Sequence, residues 1–224
     1  MKLQGAIFDM DGTLVDSLHA WDFLSPRLGE KYLGDPTFQP TPEDDKYFRT
    51  ALLWQVAVCF EEKYHFPATA QEIYGFMNEL IVEFYQTQVK CKPGVTKFLD
   101  FLQENNIPFC LATATAQPLV KIALAATGLA PYFSKVISCA DVGKGKDQPD
   151  VFLAACQMLG TDPAETFVFE DSLTAICTAR AAGMPTVGIH DTHSLGWEEI
   201  AAKATLLVKE GQSMTDLIPT FCAP

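Results

Sequence analysis

The chain has 224 residues, of which 48% are hydrophobic and 20% are charged, a composition that excludes disordered and collagen-like proteins. Its 28 acidic residues outnumber its 16 basic ones, for a formal net charge of -12, and such a surface repels the phosphates of DNA and RNA. We therefore expect no nucleic-acid partner, and we expect an anionic substrate to need a local positive group or a bound cation.

The first residues are not typical of a secretory leader, because the acidic Asp9 follows only a short apolar run. No apolar run approaches the roughly 18 residues that span a bilayer, so we expect no membrane contact. Seven cysteines are scattered without a Cys-x-x-Cys pair, which is typical of reduced thiols. Together these features predict a cytoplasmic protein.

In chain order, residues 6–8 form a short apolar run that predicts a buried strand, and long helical patterns such as 51–58 and 73–82 follow it. The tripeptide Lys92-Pro93-Gly94 marks a boundary, after which apolar strands alternate with helices. The predicted helices of this second part are 95–105, 118–127, 150–159 and 173–182, and the predicted strands are 108–112, 136–138, 166–169, 186–189 and 205–208.

Continuously apolar strands separated by helices predict the α/β class, with a Rossmann-like parallel sheet that is covered on both faces. The strand at 6–8 must join this sheet, because a lone strand is not stable. The sequence therefore predicts a core domain made of residues 1–15 and 93–224, and an α-helical domain of residues 16–92 inserted into it.

Polar side chains follow the predicted strands, at the edge where ligands bind in open α/β sheets. Several carboxylates in one crevice raise one another's pKa unless a cation is present, and oxygen ligands favour Mg²⁺. A cation, a lysine and a hydroxyl together form a pocket for a phosphoryl group. The residues in question are Asp9, Asp11, Thr113, Thr115, Asp141, Lys144, Lys146, Glu170 and Asp171.

Each of these elements alone has a structural interpretation. Asp-Gly-Thr is a common turn, and Glu170-Asp171-Ser172 is also typical of a helix N-terminus. His190 and His193 offer two metal ligands without a third, which favours a surface loop. The ordered combination of Asp-x-Asp-Gly-Thr, a strand-end Thr, a loop Lys and Glu-Asp favours the catalytic interpretation.

These motifs resemble those of the haloacid dehalogenase superfamily over nearly the whole chain. An insertion directly after the first motif resembles the small helical cap of the subfamily that contains β-phosphoglucomutase and phosphoglycolate phosphatase. The four matching segments are 8–17 (FDMDGTLVDS), 111–113 (LAT), 145–152 (GKDQPDVF) and 169–172 (FEDS).

The resemblance implies a catalytic set in which Asp9 attacks phosphorus and forms an aspartyl phosphate. Asp11 would protonate the leaving oxygen and then activate water, and Thr113 and Lys146 would hold the phosphoryl oxygens. The resemblance implies one Mg²⁺ ion, and we assign it to Asp9, Asp11 (through its backbone carbonyl), Glu170 and Asp171. We assign substrate binding to Gly12, Thr13, Ala114, Thr115, Trp21 and Arg49.

The third motif departs from the family pattern Lys-Pro-x-Pro-Asp, because Asp147 replaces the first proline. This leaves a choice between Lys144 and Lys146, and we favour Lys146 because Pro149-Asp150 sets the register. A negative Asp147 would weaken phosphate binding unless its side chain points outward.

We predict a phosphatase that hydrolyses a small phosphorylated metabolite, such as a sugar phosphate, as a monomer or weak homodimer. The alternative is a β-phosphoglucomutase-like phosphosugar mutase, but Trp21 stands at the position of that enzyme's general-base His, and His19 lies two residues earlier. Another alternative is a catalytically silent ligand-binding relative, which no motif supports.

Overall fold

The computed structural model describes residues 2–48, 51 and 53–222. The chain divides into two compact units, one of Met1–Asp16 with Val89–Pro224 and one of Ser17–Gln88. We call the first the core unit and the second the helical unit. Over the described residues, none of the helices combines the length and apolar character required to cross a bilayer.

The core unit contains a six-stranded parallel sheet. Its strands are β1 (Gly5–Phe8), β4 (Phe109–Thr113), β5 (Val136–Ser138), β6 (Thr166–Glu170), β7 (Thr186–Ile189) and β8 (Leu206–Val208). They lie in the order β5-β4-β1-β6-β7-β8. The predicted α/β fold class with a parallel Rossmann-like sheet is confirmed.

Helices connect these strands and cover the sheet. They are α5 (Val95–Glu104), α6 (Gln117–Ala126), α7 (Cys139–Val142), α8 (Asp150–Leu159), α9 (Leu173–Ala181), α10 (Trp197–Lys203) and α11 (Ile218–Cys222), with 3₁₀ turns at Pro163–Glu165 and Met214–Leu217.

Strand β1 lies at the centre of the sheet because it is apolar throughout and hydrogen-bonded on both sides. Ile7 pairs in register with Cys110 of β4 and with Val168 of β6. Phe8 is fully buried and stacks on Phe169, with ring centroids 4.4 Å apart. The residue that follows β1 therefore emerges at the middle of the sheet's carboxyl edge.

Two short strands, β2 (Val15–Asp16) and β3 (Lys90–Cys91), pair antiparallel as a separate ribbon, and both belong to the core unit. The backbone N–H of Lys92 extends this ribbon by donating to the carbonyl of Leu14 at 2.9 Å. The ribbon explains why Asp16 and residues 89–92, which the sequence places in the inserted domain, lie in the core unit.

The helical unit comprises α1 (Ala20–Leu33), α2 (Pro42–Phe48), α3 (Leu53–Glu62) and α4 (Ala70–Thr87). A reciprocal capping box between Thr69 and Glu72 begins α4, because each side chain bonds the other residue's backbone N–H. Phe60 is fully buried and stacks on Phe66 at 4.9 Å between ring centroids. Aromatic packing thus supplies much of this unit's own core.

Candidate active site

The carboxyl ends of three adjacent strands place the candidate catalytic residues together. Asp9 follows β1, Thr113 is the last residue of β4, and Glu170 is the last residue of β6, with Asp171 next in the chain. Because these strands are parallel and neighbouring, their ends meet at one edge of the sheet. The N–H of Asp9 donates to the carbonyl of Phe169 at 3.0 Å, which fixes the backbone of Asp9 against β6.

A tight turn follows Asp9. Gly12 has φ 78°, a left-handed conformation that glycine adopts without steric cost, and its N–H donates to the carbonyl of Val15 at 2.9 Å. The N–H groups of Leu14 and Val15 both donate to the carbonyl of Met10. This network holds residues 10–15 in one conformation, and the hydroxyl of Thr13 donates to Oδ1 of Asp171 at 3.1 Å.

Lys146 bridges two of the carboxylates. Its Nζ bonds Oδ1 of Asp9 and donates to Oε1 of Glu170 at 2.6 Å. The other oxygen of Glu170 accepts from the backbone N–H groups of Asp171 and Ser172, at the start of α9. Glu170 thus fixes both the lysine and the backbone that carries Asp171.

Lys144, the alternative lysine, lies elsewhere. Its Nζ pairs with Oδ1 of Asp150 at 3.2 Å, and its side chain is 52% exposed. By contrast, the side chain of Lys146 is 12% exposed. The geometry therefore favours Lys146 as the lysine of the candidate site.

Three buried carboxylates form a group that could hold a metal ion. One ligand oxygen from each of Asp9, Glu170 and Asp171 lies within 4.8 Å of the others, and no second such group occurs among the residues described. Burial raises the pKa of Asp9 well above its ordinary value, and nearby Glu170 and Asp171 raise it further against the opposing effect of Lys146. Burial and Glu170 likewise raise the pKa of Asp171 to about 7.

The pKa of Lys146 is raised because Asp9 and Glu170 favour its charged form more strongly than burial opposes it. The ammonium group thus stays protonated, and it faces three carboxyl groups, of which Asp9 and Asp171 have a raised pKa because ionising all three in a buried site is unfavourable. A divalent cation would favour the ionised form of these groups.

Asp11 lies on the same turn, and Oδ2 of its carboxylate accepts a hydrogen bond of 2.6 Å from the hydroxyl of Thr115. The N–H of Thr115 in turn donates to Oγ1 of Thr113 at 3.0 Å. Asp11 is half-buried and is outside the three-carboxylate group. The loop after β4 therefore orients Asp11 through Thr115.

Asp141 does not join these residues. One of its carboxylate oxygens accepts from the N–H and hydroxyl of Ser138 and from Gln117, so that it forms a capping box at the start of α7. The expectation that Asp141 converges on the crevice is wrong, because the exposed Asp141 instead caps a helix that the sequence did not predict.

The remaining sequence-predicted residues lie in different surroundings. The hydroxyl of Thr13 and the N–H of Gly12 are engaged in the contacts above, whereas Ala114 is exposed. Trp21 is buried in the helical unit, with its ring 5.2 Å from that of Phe48. Arg49 lies outside the described residues.

Sequence reasoning missed three residues in the loop after β7 and in the ribbon. The hydroxyl of Ser194 donates to Oδ2 of Asp171 at 2.6 Å. Lys92 and Asp191 form a buried ion pair of 2.7 Å, which differs from the surface loop expected around His190. Asp191 and Ser194 follow β7, so the same position beyond a strand's carboxyl end is the sequence signal for both.

Comparison with known proteins gives consistent matches. A family model described as haloacid dehalogenase-like hydrolase matches residues 3–183. A Drosophila melanogaster relative named probable pseudouridine-5'-phosphatase is 31% identical over 85% of this chain and 83% of its own. Phosphoglycolate phosphatase of Shigella boydii is 28% identical over 99% of this chain and 94% of its own.

A solved structure is also similar over most of its length. It is that of a "putative beta-phosphoglucomutase" from Thermotoga maritima, with a TM-score of 0.81 and 26% identity. The match covers 92% of this chain and 94% of the other.

Proposed function

Since the chain belongs to the haloacid dehalogenase-like hydrolase family and is a phosphoric monoester hydrolase, we propose that it is a Mg²⁺-dependent phosphatase that forms an aspartyl phosphate on Asp9. The predicted family and enzyme class are confirmed. The observation that carries the proposal is the placement of a buried Asp9 carboxylate against Lys146 and within 4.8 Å of two further carboxylates.

The residues present fit a magnesium ion. All donors in the group are oxygens, which hard divalent cations prefer, and the three carboxyl groups, once ionised, would carry more negative charge than Lys146 balances. In our proposal Asp9, Asp171 and the backbone carbonyl of Asp11 hold the ion, with Glu170 bound directly or through water. When bound, the ion stabilises negative charge on the phosphoryl oxygens.

The first half-reaction belongs to Asp9 and Asp11. A carboxylate oxygen of Asp9 forms a bond to phosphorus while the ester P–O bond breaks, and Asp11 gives its proton to the leaving oxygen. The hydroxyl of Thr115 orients the carboxyl group of Asp11 through the 2.6 Å hydrogen bond. Lys146 and Thr113 hold the phosphoryl oxygens, where negative charge accumulates.

The second half-reaction regenerates the enzyme. Asp11, now a carboxylate, takes a proton from water while the water oxygen bonds phosphorus and the Asp9–phosphorus bond breaks. Inorganic phosphate leaves, and Asp9 and Asp11 return to their initial protonation states. The proton balance thus closes within one turnover.

For the substrate we propose a small phosphorylated metabolite, in particular a sugar phosphate. Two relatives carry names that refer to pseudouridine 5'-phosphate and phosphoglycolate, both small phosphate esters. We keep Gly12, Thr13, Ala114 and Thr115 as proposed substrate contacts. The assignment of Trp21 and Arg49 stays a prediction from the sequence. A monomer or weak homodimer in the cytoplasm stays a prediction.

A screen of phosphorylated metabolites for phosphate release, with and without Mg²⁺, tests this function. We expect Mg²⁺-dependent release from one class of ester and from p-nitrophenyl phosphate, and none with Asp9→Asn. Interconversion of sugar 1- and 6-phosphates that requires a bisphosphate activator would establish the mutase instead. No turnover of any ester by the wild-type protein would favour a ligand-binding relative.

A further inference from the structure

Ser194 lies in the loop between β7 and α10, outside the four motifs that carry the family resemblance. Its Oγ donates to Oδ2 of Asp171 at 2.6 Å, while Oγ1 of Thr13 donates to Oδ1 at 3.1 Å. Both oxygens of one candidate metal ligand therefore accept a hydrogen bond from a hydroxyl group. Because a carboxylate has about four acceptor positions, these two bonds fix its plane and leave positions for a cation.

Buried contacts hold the loop that carries Ser194. Nζ of Lys92 pairs with Oδ2 of Asp191 at 2.7 Å and donates to the carbonyl of His190 at 2.8 Å. Oδ1 of Asp191 accepts from the N–H of His193 at 2.8 Å. The Lys92 and Asp191 side chains are only 12% and 4% exposed. Ser194 thus stands on an anchored segment.

The contact between Ser194 and Asp171, at 2.6 Å, is directional and has the usual length of a charge-assisted hydroxyl–carboxylate hydrogen bond. A donor that already occupies one lone pair of Asp171 restricts rotation of the carboxylate about its last bond. The carboxylate of Asp171 therefore loses less conformational entropy when a cation binds than an unrestrained carboxylate would lose. If the Ser194 hydroxyl were removed, Thr13 would be the one hydroxyl group still bonded to the carboxylate of Asp171 among the described residues.

We infer that Ser194 is a positioning residue for Asp171, which sets the orientation of that carboxylate toward Asp9 and Glu170 and so raises the affinity for the divalent cation. This inference rests on the proposed use of Mg²⁺. Removal of a residue that hydrogen-bonds to a metal ligand typically lowers metal affinity or activity about 10–100-fold.

The test is calorimetric titration of Mg²⁺ into the metal-free wild-type protein and the Ser194→Ala variant. We expect Ser194→Ala to raise the dissociation constant about 10–100-fold. Ser194→Thr keeps the hydroxyl group and should return the constant toward the wild-type value. In activity assays, Ser194→Ala should need more Mg²⁺ for half-maximal rate, while kcat at saturating Mg²⁺ approaches the wild-type value.

Thr192→Ala is the matched control, because Thr192 lies in the same loop, is exposed, and its hydroxyl contacts the His193 ring rather than Asp171. The inference is overturned if a folded Ser194→Ala protein binds Mg²⁺ with the wild-type affinity. It is also overturned if Thr192→Ala loses as much Mg²⁺ affinity as Ser194→Ala. If the wild-type protein itself binds no Mg²⁺, the proposed metal chemistry fails together with this inference. Binding by wild type with no effect at Ser194 overturns the inference alone.

Discussion

Lys146 is the residue that places a positive charge between the carboxylates of the candidate site. Its ammonium group bonds Asp9 and Glu170 and is nearly buried, so that it meets negative charge in a region from which water is largely excluded. A preorganised donor in such a place stabilises a transition state more than a ground state. Lys146 should therefore contribute more to rate than to folding.

We expect Lys146→Ala to lower kcat about 10²–10³-fold, the usual loss for one such donor. Lys144→Ala is the control, because that side chain is half exposed and pairs with Asp150 rather than with Asp9 or Glu170. Its kcat should stay near the wild-type value. Steady-state assays with p-nitrophenyl phosphate measure kcat for the two variants. An equal loss of kcat in both would contradict the assignment of Lys146 as the lysine of the candidate site.

The residue scale also shows what sequence could and could not predict. Asp9, Glu170 and Asp171 could be predicted because they end or directly follow apolar strands, and strand ends in a parallel sheet share an edge. Ser194 could not be found from the motifs, because its contact with Asp171 depends on how the loop after β7 folds back. Asp141 was misplaced because a capping box is a local contact that competes with any distant site.

At the scale of elements, helix α2 illustrates how one buried carboxylate organises the helical unit. Asp44 is 6% exposed, and its oxygens accept from Lys63 at 2.7 Å, from Tyr64 at 2.6 Å and from Thr41 at 2.8 Å. Lys63 is the main reason that the pKa of Asp44 falls to about 2, with Tyr64 next. The ion pair thereby ties α2 to the segment that follows α3.

This pKa predicts a defined pH dependence. Because the folded-state pKa lies below the ordinary value of 3.8, Asp44 stabilises the fold above pH 4, and this contribution is lost as the pH falls through about 2. Asp44→Asn should lower the urea midpoint at pH 5, and the difference from wild type should shrink toward pH 2. Glu43→Gln, an exposed first-turn residue, should change the midpoint little at either pH.

The same scale shows which elements a sequence reveals. The strands at 136–138 and 186–189 and helix 150–159 were predicted with their observed bounds, because an apolar run or a helical period marks each one. Helices α7 and α10 and the β2–β3 ribbon were missed because they are short. A capping box begins α7, and pairing between distant chain segments forms the ribbon, and neither contact is marked by an apolar run or a helical period.

At the scale of the whole molecule, the net charge of -12 and the group of buried carboxylates both favour the binding of a cation. Mutual repulsion at the candidate site destabilises the metal-free fold, and a ligand that binds only the folded state stabilises it. Binding of Mg²⁺ is therefore coupled to the stability of the chain.

We expect Mg²⁺ at about 100 times its dissociation constant to stabilise the protein by about 2.7 kcal/mol, and a chelator to reverse the effect. Thermal melting followed by circular dichroism measures this shift. In Asp171→Asn the Mg²⁺ shift should be largely lost, because the variant lacks one of the carboxylates that hold the ion in our proposal. An undiminished Mg²⁺ shift in Asp171→Asn would contradict this placement of the ion.

The most direct measurement concerns covalent phosphate on Asp9. Asp11→Asn should still accept phosphate from p-nitrophenyl phosphate, whose leaving group needs no acid, but should release it slowly, because the group that activates water is missing. Acid quenching, borohydride reduction and peptide mass spectrometry should then find homoserine at position 9. Homoserine at another position, or none while wild-type enzyme turns over the same ester, would contradict nucleophilic attack by Asp9.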